Sequence, residues 1–175
     1  MPVRTLVLGL GNLLLQDEGL GVRALERLTA HYHLPSKVEA MDGGTLGLDL
    51  LPHLDRDMQL LILDAVEADQ PPGTLVRLEG EAIQAALSLK MSMHQVGLQE
   101  LLALSDLQGT LPQRVVVWGM EPAWLDWGTE LSPQVRAQLE NLVSSVVREL
   151  SDWGVKVDRV STSYGCVHLD NRCIL

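Results

Sequence analysis

Phenylalanine is absent from this chain, and the other aromatics amount to four tryptophans and two tyrosines. A core built without ring-shaped fillers must be made of Leu and Val. Cysteine is almost absent: Cys166 and Cys173 both fall in the last ten residues. A late pair cannot frame the centre of a fold, so a disulfide-built domain is excluded. A zinc site from Cys166, His168 and Cys173 lacks the paired C-x-x-C spacing, and free thiols are the simpler reading. Basic residues are scarce, 13 against 23 acidic ones, for a formal net charge of −10. Nucleic acid needs a Lys/Arg surface, so it is not expected as a partner. Plain solubility is the simpler account of the excess of acid. No apolar run reaches the ~18 residues of a membrane span. The run Leu6–Leu15 after Arg4 is broken by Gly-Asn, closed by Asp17-Glu18 and followed by no A-x-A pattern, which argues against a signal peptide. A cytoplasmic protein without membrane attachment is expected.

At 175 residues the chain is long enough for one domain with a substantial core. Thr5–Leu10 is a continuous apolar run, as expected of a strand buried on both faces. Gly19–His31 repeats Leu20, Ala24, Leu25 and Leu28 at helical spacing. His31 and His33, two apart, read as a solvated helix end rather than a metal pair. Val38–Met41 reads as a short strand ending in Asp42-Gly43-Gly44-Thr45, and Leu46–Leu54 as a short helix. Gln59–Ala65 is a strand closed by Asp64. Pro71-Pro72-Gly73 is a turn, and Thr74–Leu78 alternates like a strand near a sheet edge. Ala82–Leu89 is a helix, Met91–Gln95 a loop, and Val96–Leu104 a helix. Arg114–Trp118 is another apolar strand. Ser132-Pro133 is a helix N-cap with proline at the first helical position. That helix turns Val135, Leu139, Leu142, Val143, Val146, Val147 and Leu150 inward, and Gly154 stops it. The expected organisation is a single domain over residues 1–154 followed by a tail over 155–175.

Strands alternating with helices predict an α/β protein with a mostly parallel sheet and helices on both faces. In that architecture a site forms outside the carboxyl ends of the strands. Glu18, Asp42 and Asp64 each follow a strand, and His94 lies in a loop that opens a helix, so all four are expected at one edge. The chain has no G-x-S-x-G elbow, no G-x-x-x-x-G-K-[ST] phosphate loop and no H-E-x-x-H. Glu18, Asp64 and His94 together offer two oxygens and a nitrogen, a set that suits nickel or zinc with positions left open. Taken singly, each has a plainer use: Asp17 and Glu18 at a helix N-terminus, Asp64 in a turn, His94 in the structure. Gly9-x-Gly11 also suggests a dinucleotide fold. The third glycine of that fingerprint would stand where Leu14 is, and Asp17-Glu18 would repel a pyrophosphate.

The motifs Gly9-Leu10-Gly11-Asn12-Leu13-Leu14 with Asp17-Glu18-Gly19-x-Gly21-Val22-Arg23, then Asp42-Gly43-Gly44-Thr45, Asp64-Ala65, His94-Gln95 and Gly119-x-x-Pro122 occur in one order over nearly the whole chain. By them the sequence resembles the nickel–iron hydrogenase maturation endopeptidases. The Trp153-Gly154 end and the cysteine-containing tail look like the branch serving uptake hydrogenases. The resemblance implies a three-layer α/β/α sandwich around a twisted, largely parallel sheet of about five strands. It implies an endopeptidase that removes the C-terminal extension of the hydrogenase large-subunit precursor once nickel is inserted. The family's metal-contacting residues map onto Glu18, Asp64 and His94, and the Asp of its Asp-Gly-Gly motif onto Asp42. The nickel would come with the substrate, and no organic cofactor is expected. Asp42 is the candidate general base or water-orienting group, in an aspartyl-type reaction. Gly43 and Gly44 are candidates for substrate contact and oxyanion donation, with a plain turn as the alternative. The free protein is expected to be a monomer. A non-catalytic nickel-binding chaperone of the precursor and a Rossmann-like nucleotide binder are the other readings.

Overall fold

A computed structural model describes residues 3–89 and 93–160. The apolar run near the start forms β1 (Arg4–Leu10), then a single turn of 3-10 helix at Gln16–Gly19 leads into α1 (Leu20–His31). A two-residue strand, β2 (Tyr32–His33), precedes β3 (Val38–Gly44). His33 therefore lies in a strand and not on a helix end. The segment Gly47–His53 is 3-10 helix, with Pro52 inside it. β4 (Met58–Ala65) and β5 (Leu75–Glu79) come next, then α2 (Glu81–Leu89) and α3 (Met93–Leu107). α3 opens three residues earlier than its apolar spacing suggests, so His94 sits in the first helical turn and not in a loop. β6 (Arg114–Met120) and α4 (Pro133–Asp152) complete the main body. Ser132 caps α4, its hydroxyl accepting the Val135 N–H at 3.4 Å.

Five strands form one sheet in the order β3-β1-β4-β6-β5. β3, β1, β4 and β6 are parallel, and β5 runs antiparallel at the edge beside β6. Both faces are covered, which is why the middle of β4, Leu60-Leu61-Ile62-Leu63, is apolar on both sides. On one face Val7, Leu61, Leu63 and Val116 pack against α1 and α4. On the other Leu6, Leu8, Leu60 and Ile62 meet α2, α3 and the 3-10 segment through Ile83, Leu98, Leu101 and Leu50. The result is a mostly parallel sheet with helices on both faces, as the alternating pattern predicts, and the three-layer sandwich that the resemblance implies. Among the described residues no helix is long and apolar enough to cross a membrane. Val155 is buried, and β7 (Asp158–Arg159) pairs antiparallel with β2, so residues just past α4 still join the body. Cys166, His168 and Cys173 lie outside the described residues.

The sequence pattern does not reveal the charge buried beneath α4. Glu149 is 5 % exposed. It takes both prongs of Arg77, Nε on Oε2 at 2.7 Å and Nη2 on Oε1 at 2.8 Å. Trp118 Nε1 donates to Oε2 at 2.9 Å and Trp153 Nε1 to Oε1 at 3.0 Å. Arg114 stacks over the Trp153 ring, 5.1 Å from its centroid. Four donors and little water make a charge-assisted cluster, the kind of buried charge a core tolerates. The Arg77 hydrogen bonds dominate in lowering the Glu149 pKa from 4.5 to about 2, against the opposing effect of burial.

Because the folded pKa lies below the unfolded one, this stabilisation is complete above about pH 4.5 and is lost as pH falls toward 2. Urea titrations should show Glu149→Gln about 2 to 3 kcal/mol less stable at neutral pH. The difference from the parent protein should shrink steadily below pH 4.5. A difference that stays constant down to pH 2.5 would contradict this assignment.

Candidate active site at the carboxyl edge of the sheet

The chain leaves β1 for β3 on one side and returns to β4 on the other. Two adjacent central strands therefore send their following loops in opposite directions, and a crevice opens between them. Glu18 follows β1, and Asp64 ends β4.

Glycines close the first loop tightly enough to hold Glu18 beside β4. Gly11 has φ +120°, and a Cβ there would stand 1.7 Å from the Glu18 carbonyl oxygen. A Cβ on Gly21 would stand 2.0 Å from the Leu63 carbonyl oxygen, so the start of α1 rests directly on the end of β4. No residue larger than glycine fits either place without moving backbone. Glu18 is half-buried and Asp64 almost fully buried. One Asp64 oxygen accepts the Ala65 N–H at 2.8 Å.

Asp42 lies on β3, opposite Gly9 of β1, and is exposed. Its Oδ1 accepts the Gly44 N–H at 2.9 Å. Gly44, at φ +42°, passes its carbonyl to the Gly11 N–H at 2.9 Å. Gly43 is buried, and a Cβ there would meet Leu8 at 2.7 Å. These contacts make Asp42-Gly43-Gly44 a turn that binds β3 to the first loop. The Gly44 N–H is already engaged, which leaves the expected oxyanion donation from that residue without its donor. Asp42 retains an exposed carboxylate at the same edge.

His94 lies in the first turn of α3, and the start of that helix approaches this edge. Gly97, one turn on, sits so close to Gly47 that an added Cβ would be 3.2 Å from the Gly47 Cα. The opening of α3 thus rests on the segment that follows Asp42-Gly43-Gly44. The His94 side chain lies outside the described residues. Among the described residues no three His, Cys, Asp or Glu side chains converge as a metal site.

Asp17 has a different role from the helix-start support expected of it. The 3-10 turn and α1 take no cap from its side chain. The carboxylate is fully buried. Oδ2 accepts the N–H groups of Ala123 and Trp124 at 2.9 and 3.0 Å, and Oδ1 that of Ser132 at 2.7 Å. Asp17 thereby anchors the whole connection between β6 and α4 to the first loop. Backbone bonds extend the seam: Gln16 N–H to Gly128 O, and Gly128 N–H to Leu14 O, both 2.9 Å. Glu121 does the same for the loop after β4, its Oε2 accepting from Ala68 at 2.6 Å and Gln70 at 3.2 Å. Sequence reasoning missed both anchors. Glu121 did carry a signal, since it falls inside the Gly119-x-x-Pro122 motif.

The same chain pattern occurs in characterised proteins. A model of the hydrogenase maturation protease family matches residues 22–149. The chain is 42% identical over 163 residues to the hydrogenase expression/formation protein HupD of Rhodobacter capsulatus, covering 92% of this chain and 78% of that one. It is 38% identical over 155 residues to the hydrogenase 2 maturation protease of Escherichia coli, covering 88% and 94%. Among solved structures, the hydrogenase maturating endopeptidase HybD of E. coli superposes with a TM-score of 0.87 at 38% identity, covering 92% of this chain and all of that one.

Replacing Asp17 by Asn removes the charge and offers an amide donor to a site built only of donors. A loss of about 3 kcal/mol is expected. Amide hydrogen exchange should accelerate between residues 121 and 132 while α1 stays protected. Unchanged exchange in that loop would remove Asp17 as its anchor.

Proposed function

This chain belongs to the hydrogenase maturation protease family, and on that premise we propose that it inspects its substrate by the nickel the substrate carries. It is an endopeptidase that processes the hydrogenase large-subunit precursor. In our reading it removes the C-terminal extension, in the cytoplasm, from a precursor of the uptake type, and only after nickel has been seated there. Glu18, Asp64 and His94 then complete the coordination of that nickel. The nickel belongs to the substrate and leaves with it.

One observation supports this reading above the others: the two carboxylates follow neighbouring strands at the sheet's switch point, where parallel sheets bind ligands. Two carboxylates and an imidazole match a borderline divalent cation. Binding through them does two things at once. It favours nickel-loaded over empty precursor by the energy of the new bonds, and it fixes the scissile peptide at a set distance from the metal. Bound metal polarises a carbonyl or a water as a Lewis acid. Asp42 is exposed at the same edge, and its Oδ1 is hydrogen-bonded to its own turn. It is suited to take the proton of the attacking water as general base. The water oxygen adds to the scissile carbonyl carbon, the C–N bond breaks, and the departing amine takes up a proton. Gly43 and Gly44 contribute a backbone free of side chains, against which an extended substrate tail can lie.

Mass spectrometry of the large subunit tests this directly. Nickel-loaded precursor should lose its extension and nickel-free precursor should not. The variants Glu18→Ala, Asp64→Ala and His94→Ala should each lower the rate at least about 100-fold, in line with the removal of a ligand or its support. Equal cleavage of loaded and empty precursor would refute metal inspection. Asp42→Asn should keep precursor binding and lose cleavage. Binding of loaded precursor by the parent protein with no change of mass would instead make it a chaperone.

A further inference from the structure

Eight large apolar side chains stand exposed among the described residues. Six of them, Leu14, Leu46, Leu48, Trp124, Leu125 and Trp127, belong to the three loops that follow β1, β3 and β6. A single exposed leucine is ordinary, whereas a cluster at one edge marks an interaction surface. The loops adjoin one another. Gly128, next to Trp127, donates its N–H to the Leu14 carbonyl, and Gly11 donates to Gly44 just before Leu46. Trp127 is 81% exposed and Trp124 45%, in a chain otherwise poor in aromatics.

These tryptophans are presented rigidly. The Trp124 peptide accepts from the Asp17 N–H at 3.1 Å and donates to the Asp17 carboxylate at 3.0 Å. Holding large aromatics in water by a buried anchor lowers the ordering cost of a complex. Tryptophan is also the side chain most enriched at the energetic centres of interfaces.

Charge completes the picture. The segments 11–19, 42–49, 64–74 and 121–132, which follow β1, β3, β4 and β6, hold ten of the chain's 23 acidic residues and none of its 13 basic ones. Asp42, Asp49 and Asp126 are exposed among them. Arg23 and Arg136, on the neighbouring helices, are engaged by the Thr129 carbonyl at 2.7 Å and by Glu130 at 2.6 Å. Such a face repels phosphates and anionic lipid and attracts a protein surface bearing Lys and Arg.

We propose that the four loops form one docking face for the folded body of the precursor, with Trp124, Leu125 and Trp127 as the apolar anchor. The matching surface on the precursor is an apolar patch flanked by Lys and Arg, beside the extension that is removed. This inference rests on the precursor being the substrate. It assigns recognition to two parts of one edge: the crevice reads the metal, and the tryptophan loop reads the protein around it. The loop accordingly governs KM and leaves the chemical step alone.

Titration of the full-length protein into nickel-loaded precursor, followed by calorimetry, tests the face without relying on cleavage. Trp124→Ala/Trp127→Ala should weaken binding about 30-fold or more, as central tryptophans do elsewhere. Its thermal midpoint should stay near the parent's. Should the double variant fail to fold, Trp127→Glu alone carries the test. Asp49→Lys/Asp126→Lys should weaken binding further and flatten its dependence on salt. In turnover assays the tryptophan variants should raise KM and keep kcat. Parent-like affinity in folded tryptophan variants overturns the docking face. Failure of the parent protein to bind loaded precursor at all overturns both this inference and the proposed function, whereas binding that ignores nickel but needs the tryptophans overturns metal inspection alone.

Discussion

The buried carboxylate of Asp17 is the contact on which the functional edge depends. It satisfies three backbone N–H groups from a loop more than a hundred residues away in sequence. A carboxylate acceptor with three donors and no solvent exposure is among the stronger local ties a protein can make. Its neighbour Glu18 has a different environment, half-buried beside the end of β4. Two adjacent carboxylates are thus divided in purpose by which way the 3-10 turn points them. One anchors the loop that carries the exposed tryptophans, and the other remains at the crevice.

Close backbone contact is the second constraint. Gly11 and Gly21 let the first loop fold back until it touches both Glu18 and β4, and Gly97 lets α3 settle on Gly47. The elements that carry Glu18, Asp64, Asp42 and His94 are therefore seated on one another. Backbone seated on backbone in this way holds these elements in fixed relation before any substrate arrives. At the antiparallel edge of the sheet a charge cluster does the joining. There α4 and β5 are joined through Glu149, Arg77, Trp118 and Trp153, a cluster that fixes the antiparallel edge strand to its helix.

The alternation of β1, α1, β3, β4 and β6, the inward face of α4 and the Ser132 cap could all be read along the chain, because each depends on residues within a few turns. The start of α3 could not. His94 and Gln95 carry no helical signal, and the helix extends over them because Gly97 and Leu98 pack on the segment after β3. The three-residue extension of β3 through Asp42-Gly43-Gly44 escaped for a related reason. Glycines have no strand preference of their own; the β1 ladder reaches Gly44 through an irregularity in register, with Gly44 itself at φ +42°.

By itself the sequence determined the kind of protein this is: a parallel α/β sandwich whose acidic groups follow its strands, with motifs that name a family. The fold class follows from periodicity and composition and the family from the resemblance of its motifs, all of them features of short stretches of chain. Tertiary structure alone decided the fate of each carboxylate. Asp17 and Glu18 are adjacent and chemically alike, so no local rule separates them. The loop at 123–132 folds onto Asp17, and burial by a distant segment is a fact that only the assembled fold contains.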